Sequence, residues 1–182
     1  MKKFFKIIGL LLLLIIAFVL IAGIFVKKEF HLERSITINA PREAVWPKIS
    51  SLAEMKAWSP WMAMDTATKT SIEGVPDQVG SVFKWHSEEV GVGDQTLTKI
   101  DPMQRVESHL HFVKPFEGEA EAYIALGTAP EGSRVTWGFD TKYAYPMNTM
   151  LLFFDMDDIM GKQYDDGLAR LKQTVESGQV AK

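Results

Sequence analysis

The chain has 182 residues, 47% of them hydrophobic and 24% charged, with a net charge of −3. It holds no cysteine, which excludes disulfides, thiolate catalysis and thiolate-ligated zinc. Residues 29–182 carry 15 Lys and Arg against 23 Asp and Glu, a net of −8, which argues against nucleic acid as a partner.

Charge is distributed unevenly. Ile7 to Val26 is a run of 20 residues with no charge and only Gly9 and Gly23 outside the apolar set. As a helix it would span about 30 Å, the thickness of a hydrocarbon core. Lys2, Lys3 and Lys6 stand before it and Lys27 and Lys28 after it, placed to reach the head groups. A cleaved signal peptide needs a shorter apolar core and a small-x-small cleavage site. Ile21-Ala22-Gly23 is a poor one. Residues 1–28 therefore read as an N-terminal membrane anchor and residues 29–182 as one domain of ordinary size. Lysines are slightly denser before the span, which favours the N-terminus inside and the domain outside the cytoplasm.

Residues 31–38 alternate, with Leu32, Arg34, Ile36 and Ile38 on one face, a half-exposed strand. Asn39 is a candidate cap and Pro41 suits the first position of a short helix over about 42–52, kinked or delayed by Pro47. Trp58-Ser-Pro-Trp61 reads as a loop, either a packing corner or a lid. The packing corner is the simpler reading, because large aromatics mostly serve burial.

Turn signals then recur from 74 to 132, and between them lie strands near 68–73, 80–87, 92–100, 105–113, 118–127 and 133–141. With the first strand they make a seven-stranded antiparallel sheet. Phe83 and Trp85, Gln95 and Leu97, Val106 to Phe112 by twos, Ala120 to Leu126 by twos, and Val135, Trp137 and Phe139 define its dry face. Lys84, His86, Glu107, His109, His111, Glu119, Glu121 and Asp140 define a wet one. Met147 to Phe154 looks like a short apolar helix. Met160, Tyr164, Leu168, Leu171 and Val175 then form the stripe of a long helix that covers the dry face. Gly161 and Gly167 inside it imply a bend or a close approach to the sheet. The last residues, 178–182, are expected to fray.

The order of elements, with Ser35-Ile-Thr-Ile-Asn-Ala-Pro41 leading to Trp46, Trp58-Ser-Pro-Trp61, Asp101-Pro102, Arg105-Val106, Lys114-Pro-Phe116, Arg134-Val-Thr-Trp137, Pro146-Met-Asn148 and Gly167-Leu-Ala-Arg-Leu171, resembles the helix-grip fold of the START-like (SRPBCC) superfamily. The bacterial polyketide cyclase/dehydrase-like branch is the most similar, over residues 30–176. The resemblance implies an α+β fold in which the sheet wraps the C-terminal helix around a hydrophobic cavity. It also implies an apolar ligand, a lipid or another hydrophobic small molecule. It carries no universal catalytic motif, so no catalytic residue is assigned.

The expected cavity lining is Phe83, Trp85, Gln95, Leu97, Ser108, Leu110, Phe112, Ile124, Trp137 and Phe139 from the sheet, with Met147, Met150 and Met160 from the helices. Tyr123, Tyr143 and Tyr145 are further polar candidates. A solid core without a ligand is the alternative. His86, His109 and His111 could meet a metal, but their parity puts them in water, so neither a metal nor a cofactor is expected. Arg34 reads as a structural ion pair or as an anchor for an anionic head group. No nucleophile stands beside a base, and Asp65, Asp140 and Asp155 are acids with nothing nearby to recruit them. The run of aspartates at 155–166 reads as a solvated helix face. Three functions stay open: a membrane-anchored carrier or binding protein, a cyclase-like enzyme, and an interaction module with a filled core.

Overall fold

The computed structural model describes residues 2–180. Its elements are α1 (Lys2–Phe25), β1 (Glu29–Ile38), α2 (Arg42–Ser50), α3 (Leu52–Trp58), α4 (Pro60–Met64), β2 (Lys69–Glu73), β3 (Val82–Ser87), β4 (Gly91–Asp101), β5 (Arg105–Lys114), β6 (Gly118–Ala129), β7 (Gly132–Lys142), a 3-10 helix (Met147–Leu152) and α5 (Met156–Val180). The fold is the α+β helix-grip arrangement: one seven-stranded antiparallel sheet in the order β1-β7-β6-β5-β4-β3-β2 around α5. The fraying expected at 178–182 falls where α5 is still helical to Val180; residues 181–182 lie outside the described residues.

Strand alternation sets the two faces. Leu97, Val106, Ile124, Val135 and Trp137 are all buried, while Lys84, His86, Glu119, Glu121 and Asp140 face solvent. On the wet face His31 pairs with Asp140 at 2.7 Å, His109 with Glu121 at 2.7 Å and His111 with Asp94 at 3.2 Å. Tyr123 is on this face too. It lies against Gly138, where a Cβ would meet its ring at 2.1 Å, and it donates to Glu33 beneath Arg105. Burial and the Glu33 hydrogen bond push its phenol up to about 12.

The connecting helices differ from expectation in three ways. Pro41 precedes the helix as its N-cap with no side-chain cap, and Asn39 instead donates its backbone N–H to Glu176. Pro47 is accommodated inside α2, and a second helix starts after Ser51, whose hydroxyl accepts from Glu54 N–H. Trp58 and Trp61 are helical, not looped: Trp58 closes α3, and Pro60 opens α4.

Two of the three glycines of α5, Gly161 and Gly167, answer to close approach. A Cβ on Gly161 would stand 2.2 Å from Arg34 Nη2, and one on Gly167 would stand 2.8 Å from Trp137 Cζ3 and 3.0 Å from Pro60 Cδ. Arg34 makes the structural pair, reaching Asp157 at 2.7 Å and Asp165 at 3.7 Å across that gap. Gly167→Ala is expected to destabilise the protein by about 1–3 kcal/mol, because overpacking against Trp137 outweighs the roughly 1 kcal/mol gained in helix propensity. Chemical denaturation checks this; a more stable variant would mean that the helix has room to shift.

Register divides the sheet into two ends. Glu29 pairs with Lys142, Ala120 with Thr141, Phe112 with Gly118, Val92 with Lys114, Ser87 with Gly91 and Lys69 with His86. These pairs share one end, the end at which the chain leaves α1. This is the near end of the domain.

Candidate functional site

The concave face of the sheet and the helices enclose a cavity of about 190 Å³. β3 supplies Phe83 and Trp85, β4 Gln95, β5 Leu110 and Phe112, β6 Ala122, and β7 Trp137 and Phe139. From above, α3 adds Leu52, Met55 and Trp58, α4 adds Trp61 and Met62, and α5 adds Met160 and Tyr164. A dry apolar cavity of about 150 Å³ already holds benzene, whereas whole drug-sized ligands occupy about 300–1,000 Å³. The chamber as it stands therefore admits one ring or a short stretch of acyl chain. Met55, Met62 and Met160 are the lining side chains best able to yield to something larger.

One wall is an aromatic cluster. Trp137 meets Trp58 and Trp61 edge-on at 5.0 and 5.5 Å, and Tyr164 lies tilted against it at 4.1 Å. Each helical indole is held by its nitrogen: Trp58 Nε1 donates to Lys48 O at 2.9 Å and Trp61 Nε1 to Gln163 Oε1 at 3.1 Å. Space remains beside this wall because Ala122 carries only a methyl where its strand crosses the floor, and Gly93 lets the Trp85 ring lie flat on β4.

Few polar groups reach the lining. Gln95 Nε2 donates to Ser108 Oγ at 3.0 Å, which orients the amide and leaves its carbonyl as an acceptor. Burial, reinforced by the charge of Asp140, pushes the Tyr164 phenol far above its usual value, so it remains a neutral donor. Lys56 and Ser59 lie toward the exposed side of the lining, with Lys56 Nζ donating to Thr70 at 2.8 Å. Nearby, Ser87 donates to Asp65 and fastens the α4–β2 connection to the β3–β4 turn. That bond and the Ala67 N–H hold the Asp65 carboxyl below its usual value.

Of the expected lining, Phe83, Trp85, Gln95, Leu110, Phe112, Trp137, Phe139 and Met160 border the cavity. Leu97 and Ile124 do not. They lie deeper along their strands, at 1% and 3% exposure, where the core is closed. Ser108 acts one step behind the wall, through Gln95. Met147 and Met150 do not border it either, because the chain turns outward after β7 and places the 3-10 helix against α1 rather than over the sheet. Tyr145 goes with it and donates to Leu20 O, while Tyr143 is half-buried outside the lining. The lining residues outside that expectation are those of α3 and α4 with Ser59 between them, Val90, Ala122 and Tyr164. The last belonged to the recognised stripe of α5, and Met55 and Met62 flank the tryptophan pair.

Among the described residues, no pair of acids lines the chamber. Asp140 is engaged with His31 on the outer face, and Asp155 accepts from Asp158 N–H at the start of α5.

A family model described as polyketide cyclase / dehydrase and lipid transport matches residues 29–176. Similar solved structures include Ara h 8.0201, with a TM-score of 0.57 at 14% identity, covering 82% of this chain and 99% of that one. Protein MLL2253 from Mesorhizobium loti has a TM-score of 0.57 at 15% identity, covering 81% and 98%. SA2116 from Staphylococcus aureus, a protein of unknown function, has 0.60 at 10% identity, covering 83% and 96%. At these identities the likeness is one of fold. No curated protein matches the chain. The chain belongs to the polyketide cyclase/dehydrase and lipid transport family.

Proposed function

We propose that this member of the polyketide cyclase/dehydrase and lipid transport family is a binding or carrier protein for a hydrophobic small molecule or part of a lipid, held at a membrane by α1. The observation that carries the reading is the 190 Å³ chamber, walled by aromatic and aliphatic side chains, with Gln95 and the neutral Tyr164 as its inner polar residues and Lys56 and Ser59 toward its exposed side. Such a site selects for apolar bulk with at most a hydroxyl or carbonyl. Purified protein should carry a co-purifying amphiphile or hydrophobe, visible by native mass spectrometry followed by solvent extraction. Protein that is consistently empty, and that takes up no hydrophobe afterwards, contradicts the proposal.

The anchor is supported by length and composition. α1 is 24 residues long and is almost wholly unburied by the rest of the chain. Residues 29–182 expressed alone are expected to be soluble and folded. A reporter fused to the C-terminus is expected to be active outside the cytoplasm, and activity only inside would reverse the orientation.

A cyclase-like reading draws on the family description and on Tyr164, a protonated phenol inside a water-poor chamber. It requires turnover of a trapped compound that is lost in Tyr164→Phe while binding survives.

A further inference from the structure

We infer that the near end of the domain is a bilayer-seated surface, built from the segment that follows β7 and from the β5–β6 turn, with the lipid head-group boundary as its partner. This rests on the reading of α1 as the membrane span.

The first observation is a clamp. Asn148 is fully buried, and its Nδ2 donates to Gly23 O at 2.7 Å and Val26 O at 3.1 Å. Carbonyls in the last turn of a helix have no partner within it. Where such a turn is covered by protein or enters hydrocarbon, water does not reach them. Asn148 supplies what they lack, and Tyr145 adds a bond to Leu20 O at 3.2 Å. Gly23 is the apolar run's point of close approach: a Cβ there would meet Thr149 Cγ2 at 2.2 Å. The domain is thus docked on the end of its own helix, in a fixed pose, rather than hung from a loose tether.

The second observation is what that pose leaves uncovered. Phe153 and Phe154 are 66% and 54% exposed, just past the 3-10 helix, and Leu152 beside them is 48% exposed. Phe116, 68% exposed, crowns the β5–β6 turn. By strand register that turn belongs to the same end of the sheet from which β1 departs α1. Large aromatics bare to water at the mouth of an apolar helix match an interfacial element, whose apolar side enters about 5–10 Å into the boundary. Lys27 and Lys28 of the exit, with Lys114 and Lys142, are exposed at the same end, among the acids Glu117 and Asp155. The mixed signs favour seating by apolar contact rather than by anionic lipid.

The chain has no cysteine, so single-site labelling is open. Phe153→Cys, Phe116→Cys, Glu131→Cys at the opposite end of the sheet and Ile15→Cys in mid-α1 are each labelled with a nitrobenzoxadiazole fluorophore. The full chain is then reconstituted in phosphatidylcholine vesicles containing doxyl-labelled lipid. Expected are blue-shifted emission at 153 and 116 and quenching there about threefold or more above that at 131, strongest with the spin label near the head group. Position 15 responds most to a label near the acyl-chain end, at the bilayer midplane. If 15 is quenched while 153 and 116 behave like 131, the anchor stands and the seated surface is refuted. If 15 is not quenched, α1 is not the span and the inference falls with it.

Discussion

Trp137→Ala is expected to lower the free energy of unfolding by about 3–5 kcal/mol. The residue is 5% exposed and joins three aromatic partners that belong to α3, α4 and α5. Gly167 lies against its ring on the other side. Truncation opens a void beside an existing one, between a strand fixed on both edges and a helix already at its closest approach. The surroundings cannot collapse to fill it, which places the variant at the costly end of the range for lost aromatics. Thermal and urea unfolding of the domain would show it, and an unchanged melting curve would remove Trp137 from the core.

Ala122→Phe has the opposite logic. Ala122 is buried on the cavity floor, paired with Phe139 on one side and Ser108 on the other. A phenyl ring there enters empty space rather than packed atoms, so stability should change by no more than about 1 kcal/mol. Affinity for any hydrophobic ligand should fall by about 100-fold or more, equivalent to roughly 2.8 kcal/mol at 1.4 kcal/mol per decade. A folded Ala122→Phe variant that still binds would move the ligand out of the chamber.

How much of this could be read from the sequence follows from the physics of each element. Strand parity is a local property with a period of two, so Phe83, Trp85, Trp137 and Phe139 fall on the dry face without any knowledge of the fold. The stripe from Met160 to Val175 is equally local, and it contains Tyr164. Depth along a strand is not local. Nothing near Leu97 or Ile124 distinguishes a residue of the closed core from one over the chamber, since that depends on where α2 and α5 come down. Ala122 was invisible for a related reason: a missing side chain makes room only relative to neighbours from other strands. Met147 and Met150 read from the sequence as cavity lining because they belong to an apolar run just before the covering helix. The structure turns that run toward α1, where Asn148, a polar residue within it, meets the end of the apolar helix. A buried amide between two greasy segments has its meaning only once the two are side by side.

A hydrophobic guest is expected to occupy the space between sheet and helices. Four of the five tryptophans line that space, and bromine quenches indole at contact range, so a brominated fatty acid titrated into residues 29–182 reads occupancy directly. Expected is saturable quenching at one acyl chain per protein, abolished in folded Ala122→Phe. Absence of quenching, or equal quenching in both proteins, would contradict it.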